Sequence, residues 1–128
     1  MKPITQEWVG KAEGDFATAQ RELQAQENPN YDAVCFHSQQ CVEKYLKGCL
    51  QEAGIFFEKT HDLAKLLDLL LPIESDWESM RLTLNSLTIY AVELRYPGVS
   101  ASQSNADEAF KDCLQIRQVL RQYLADDS

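Results

Sequence analysis

The chain has 128 residues, 45% of them apolar and 25% charged, enough for one domain (1–128) whose core needs no metal or disulfide staple. Twenty acidic against twelve basic residues give a formal charge of −8, the wrong sign for bulk electrostatic binding to duplex DNA or to an anionic membrane. Only five Gly and four Pro are present, so the elements are expected to be few, long and helical.

In chain order, the first amphipathic segment runs from about Thr5 to Gln26, with Trp8, Ala12, Phe16, Ala19 and Leu23 at spacings of three and four. The Glu27-Asn28-Pro29-Asn30 stretch ends it, because Pro disfavours helical geometry in the residue before it. A second helix starts after Asn30 as N-cap and continues to Ala53, with Gly54 placed for a left-handed terminus. A shorter third helix is expected from His61 or Asp62 to Leu71, with Thr60 as cap and Pro72 as stop. Ser75-Asp76-Trp77-Glu78 reads as a capping box opening a long fourth helix, whose seam is Trp77, Met80, Leu84, Leu87, Ala91 and Leu94. Arg95 to Gln103 is a loop of small and turn-forming residues. The last helix starts near Ser104, where Ser104-Asn105-Ala106-Asp107 offers a cap, and ends in Asp126-Asp127-Ser128, which is expected to fray. The expected architecture is an all-α, antiparallel up-and-down four-helix bundle with one short additional helix.

No run reaches the ~18 apolar residues of a membrane span; the densest, Leu66 to Leu71, is interrupted by Asp68. The polar N-terminus carries no signal-peptide core, so a cytoplasmic location is expected. Cys35, Cys41, Cys49 and Cys113 lack paired CxxC spacing and read as buried free thiols. With two histidines, His37 and His61, a metal centre is not expected, and neither is a cofactor: phosphate-loop, dinucleotide and hydrolase motifs are absent.

Three constellations stand out. Gln40, Glu43, Lys44 and Lys47 share one face of helix two, bordered by Gln39; on spacing they read as a solvated face with an i,i+4 ion pair. Gly48 beside them costs about 1 kcal/mol relative to Ala inside a helix, which predicts close approach of another backbone or a ligand. His61 stands at a helix start, as a cap or as an acid, base or ligand. His37 has no obvious partner, and the acids Glu13 and Asp15 fall on faces that look solvated. Arg95-Tyr96-Pro97-Gly98 combines a guanidinium fork suited to phosphate with a ring on which a base can stack. Arg95 can equally cap the carbonyls at the end of helix four.

Tyr31 to Lys47, with its Gln39-Gln40-x-x-Glu43-Lys44-x-Leu46-Lys47 pattern, then His61-Asp62-Leu63 with Leu66-Leu67, then Tyr90 and Arg95-Tyr96-Pro97 together resemble the HEPN domain family. The resemblance spans about Trp8 to Leu124. It implies a helical bundle that assembles as a homodimer, often beside a minimal nucleotidyltransferase in toxin–antitoxin-type systems. Many members are metal-independent ribonucleases with an Arg, four to six intervening residues and a His. Arg95 matches that Arg, but the eligible positions hold Ser100, Ala101 and Ser102. No catalytic residue is therefore carried over. The resemblance implies Arg95 and Tyr96 as nucleotide or single-stranded RNA contacts, and raises the same reading for Gln40, Lys44, Lys47 and His61. The rivals are a divergent ribonuclease using Arg95 with His61 or a Ser hydroxyl, and a purely structural dimerisation partner.

Overall fold

A computed structural model describes residues 1–126, apart from the Arg95 side chain; Asp127 and Ser128, where fraying is expected, lie outside it. Helix α1 (Pro3–Gln24) begins two residues earlier than periodicity suggests, because Pro is preorganised for the first helical position. Helix α2 (Tyr31–Ala53) is bounded as its local signals require. The Asn30 side chain accepts the Ala33 N–H at 3.0 Å. At the other end Gly54 adopts φ 70°, and the Ile55 N–H reaches back to the Leu50 carbonyl at 2.9 Å, a closure that favours glycine.

Helix α3 (Leu63–Leu70) is capped by Asp62 rather than Thr60, the Asp62 carboxylate accepting from the Ala64 and Lys65 N–H groups. The Thr60 hydroxyl accepts the Asp62 N–H one step earlier. The fourth segment departs most from expectation. Ser75–Met80 is a 3-10 helix without a side-chain cap, since Glu78 is taken by the Arg81 guanidinium at 2.7 and 2.8 Å. Helix α4 is only Arg81–Thr88. It gives way to 3-10 turns at Ile89–Ala91 and Glu93–Arg95. The Thr88 hydroxyl donates to the Leu84 carbonyl at 3.0 Å and accepts the Leu63 N–H at 3.2 Å, tying the end of α4 to the start of α3; such back-bonding weakens a helix locally.

Helix α5 (Gln103–Asp126) starts one residue early. Its box is Ser102 with Asn105, not Ser104 with Asp107: Ser102 N–H donates to Asn105 Oδ1 and Asn105 N–H to Ser102 Oγ, both at 3.0 Å. Contacts pairing Lys2 with Glu52, Asp15 with Lys44 and Glu22 with Asn30 make α1 and α2 antiparallel. Asp32 with Ala101 and Tyr45 with Arg121 set α5 running with α2. The result is an up-and-down helical bundle crossed by short α3.

Helix α2 is the central strut, packed on α1, α5 and α3 and on the Ile89–Ala91 turn. Its Val34, Leu46 and Leu50 meet Leu63, Leu66, Leu84, Leu87 and Leu120 in the core. All four cysteine side chains are buried. Alanines 12 and 19 are fully buried on α1, and their small size lets that helix lie close. A Cβ on Gly48 would meet Trp8 Cβ at 3.4 Å, so α1 is the neighbour there, at a distance that still admits a methyl group. Ile55 and Phe57 pack against the core while Phe56 between them is exposed, making the Ile55-Phe56-Phe57 plug a partial one.

Candidate functional site

Encirclement of α2 changes the chemistry of its polar stripe. Glu43 and Lys47 are 3% and 6% exposed, and Gln39 is fully buried; the solvated-face reading is corrected, because neighbours cover α2 on nearly every side. Burying a carboxylate is costly unless donors converge on it, and here three do. Lys47 Nζ lies 3.0 Å from Glu43 Oε2, and the Gln39 amide donates to Oε1 at 3.1 Å. His61 Nδ1 is 2.9 Å from Oε1, with its side chain 52% exposed. Gln40, half-buried, donates to Gln39 Oε1 at 2.7 Å, and Lys47 Nζ sits 5.6 Å from the Trp8 ring centroid. Replacing a buried ion pair by apolar side chains is often neutral for stability, so stability alone does not explain this one. What Glu43 does is fix the imidazole: with Nδ1–H donated to the carboxylate, Nε2 is left as acceptor, base or, when protonated, oxyanion donor.

A second buried acid was hidden in α1. Asp15 holds His37 Nδ1 at 2.7 Å and Lys44 Nζ at 2.5 Å, so His37 has the partner that its sequence surroundings did not suggest. Glu13, with a third of its side chain exposed, accepts the Arg117 guanidinium at 2.6 and 2.7 Å and the Tyr45 hydroxyl at 2.6 Å. The Arg117 hydrogen bonds hold the Glu13 carboxyl below its ordinary value, against a smaller opposing effect of burial. Burial and the Glu13 carboxylate push the Tyr45 hydroxyl up. Asp15 lies three residues after Ala12 and four before Ala19, on the core-facing stripe, and an acid in such a stripe was the available signal for a buried partner. Both lysines that the resemblance implies as nucleotide or RNA contacts are thus paired with carboxylates of this chain, Lys44 with Asp15 and Lys47 with Glu43.

The Arg95-Tyr96-Pro97-Gly98 segment takes the expected abrupt exit. Tyr96 is extended (φ −103°, ψ 142°), as a residue before Pro must be. Gly98 has φ 86°, and the Val99 N–H donates to the Tyr96 carbonyl at 3.4 Å, meeting the requirements of a type II turn. Tyr96 as a whole is 61% exposed. The turn is anchored on both sides: Leu94 borders a surface pocket with Asp32, Phe36 and His37, and Asp32 accepts the Ala101 N–H at 2.6 Å. Phe36 and Glu43 are seven residues apart, within about 20° of each other around α2 and about 10 Å along it. The approach to Arg95 and the His61 imidazole therefore flank one face of α2, whereas Lys44 turns toward α1. Of the positions where a histidine would follow Arg95, Ala101 is bound to Asp32, and the Ser102 hydroxyl is engaged by Asn105 at the start of α5.

Burial raises the Cys35 thiol to about 11, and Cys41, hydrogen-bonded to Cys113, is raised as well. These thiols are packing groups. Among the described residues, no three His, Cys, Asp or Glu side chains converge in a way that could hold a metal ion. Also among the described residues, no helix is long and apolar enough to cross a membrane.

The profile of the HEPN domain matches residues 5–123. A curated relative, "Putative toxin MJ1304" of Methanocaldococcus jannaschii, is 28% identical over 93% of this chain and 87% of its own length. Two crystal structures share the fold. ST0689, an archaeal HEPN homologue, is 27% identical with TM-score 0.71, over 96% of this chain and 98% of that one. TT1696 from Thermus thermophilus is 22% identical with TM-score 0.74, over 92% and 96%.

Proposed function

This chain belongs to the HEPN domain family, and on that premise we propose that it is a nucleotide- or RNA-binding module of a toxin–antitoxin-type pair, assembled as a homodimer and partnered in the cytoplasm by a minimal nucleotidyltransferase. The observation that carries the reading is His61, held through Nδ1 by buried Glu43 and half-exposed, on the face of α2 that Leu94, the residue before Arg95, borders about two to three turns from Glu43, at Phe36 and Asp32. A fixed imidazole, an exposed Tyr ring and an Arg suit a phosphate with a base attached. The pairing is supported by the word toxin in the name of the Methanocaldococcus relative. Exposed Leu82, Ile89 and Val92 on the outer side of α4 and the turn after it supply apolar surface for a second copy.

Calorimetric titration with ATP, GTP and a short single-stranded RNA tests the reading in wild type, Arg95→Ala and His61→Ala. Saturable binding that both substitutions weaken is the expected result. Binding that both variants retain removes the Arg95–His61 face as its site, and no binding at all removes the nucleotide claim and leaves the protein-partner version, which co-purification with a neighbouring nucleotidyltransferase gene product addresses.

A second reading, a divergent metal-independent ribonuclease, is favoured by the same Glu43–His61 geometry. It supplies a proton-transfer group that positions 100–102 lack, and such a group typically contributes about 10² to 10⁴ in rate. This reading requires RNA cleavage in chelator that disappears in both Arg95→Ala and His61→Ala. Intact RNA after prolonged incubation at high protein concentration would sink it.

A further inference from the structure

Beyond His61 lies a pocket of about 360 Å³ lined by Phe56, Phe57, Glu58, Lys59, Lys65 and Leu69, within the size range of small-ligand sites. Its construction follows from the chain reversal at Gly54. After that left-handed residue the segment alternates: Ile55 and Phe57 turn into the bundle, Phe57 meeting the Trp8 ring edge-on at 6.3 Å. Phe56 is left 82% exposed. Lys59, just before the α3 cap, and Lys65, in the first turn of α3, are both exposed. Neither forms a salt bridge among the described residues, in contrast to Lys44 and Lys47. On a chain of net charge −8, an exposed phenyl ring beside two unpaired ammonium groups defines a ligand with a flat apolar body and an anionic end.

We propose that this pocket binds a nucleoside monophosphate unit, free or as one nucleotide of a single strand. The base stacks on Phe56, the phosphate lies against Lys59 and Lys65, and Glu58 accepts from an exocyclic amine. The site is separate from the Arg95–Tyr96 turn. His61 follows Lys59 by two residues, so the pocket continues the Glu43–His61 face. The inference rests on the nucleotide-binding reading but not on any role for Arg95.

Titration of the full chain with AMP, UMP, adenosine and inorganic phosphate, followed by calorimetry and by amide chemical shifts, tests it. The variants are Phe56→Ala, Lys59→Glu with Lys65→Glu, and Arg95→Ala. Phe56 and both lysines are exposed, and circular dichroism checks that the variants fold. AMP should bind more tightly than UMP, which lacks the exocyclic amine, and than adenosine or phosphate alone. Phe56→Ala should weaken AMP at this pocket about tenfold or more, the double charge reversal should abolish the AMP-dependent amide shifts of residues 56–65, and those shifts should persist in Arg95→Ala. AMP binding that survives Phe56→Ala, or no AMP binding at all, overturns the proposal. If Arg95→Ala alone abolishes AMP binding, this pocket is refuted while the turn remains the nucleotide site. If an acidic amphipathic peptide binds through Phe56 and AMP does not, the pocket is a protein-docking site and the proposal fails.

Discussion

Removing Lys47 while leaving Glu43 in place strands a carboxylate that is 3% exposed with only Gln39 and His61 as donors. Breaking one partner of a buried pair costs about 3–5 kcal/mol, and loss of the Lys47 contact with the Trp8 ring adds about 0.5–1 kcal/mol. Since two donors remain, the lower end, about 3 kcal/mol, is expected for Lys47→Met. At about 2.1 cal/mol/K of unfolding entropy per residue, that lowers the Tm of a 128-residue chain by about 11 °C. The double variant Glu43→Leu with Lys47→Met removes charge and counter-charge together, and should return to within about 1 kcal/mol of wild type. Urea denaturation at 25 °C, read by far-UV circular dichroism, gives both values provided the m-value is unchanged. A single substitution costing under about 1 kcal/mol would mean that Glu43 keeps its hydration and that the pair is not buried in solution. A double variant as unstable as the single would mean that the pair itself is required for packing, contrary to the reasoning.

Gly48→Ala should stabilise by about 0.5–1 kcal/mol, because a Cβ there makes an ordinary 3.4 Å contact with Trp8 and the helix gains propensity; Gly48→Leu should destabilise by about 1–3 kcal/mol through overpacking against α1, and thermal melts of the two should move in opposite directions. Glu13 has its folded pKa lowered below the ordinary 4.5, so its contribution is present above that value and lost as pH falls through the folded pKa. Urea midpoints measured from pH 7 down to pH 3 should therefore fall more steeply for wild type than for Glu13→Gln, and parallel profiles would refute the assignment. All four thiols are buried, so a thiol reagent at pH 7.5 should modify none of them in the native protein and all four in urea. Rapid labelling of Cys35 before unfolding would contradict its burial and its raised pKa of about 11.

The residues that bound α2 acted through their own backbone geometry: Asn30 as cap and Gly54 as left-handed terminus are where a reader of the sequence places them. The same is true of the Tyr96-Pro97-Gly98 turn. Those interactions span at most a few residues, so the sequence carries them whole. Helix four was legible as apolar periodicity but not as a broken element, because its end is set by Thr88 bonding the start of α3, 25 residues away. Arg95 and Tyr96 were legible as a structured exit. The partners of His37, Lys44 and His61 were not, since Asp15 and Glu43 reach them across 18 to 29 residues.

By itself, then, the sequence determined an all-helical chain, its family, and the local start and stop signals, because periodicity, capping and turn chemistry are short-range. Only the tertiary structure decided that Gln39, Glu43 and Lys47 are interior. Side-chain spacing places residues on a common face of a helix but does not say whether water or another helix covers it. For α2, enclosed by α1, α3, α5 and the turn after α4, the answer was protein on nearly every side. That enclosure turns an ordinary i,i+4 pair into a buried carboxylate that orients His61.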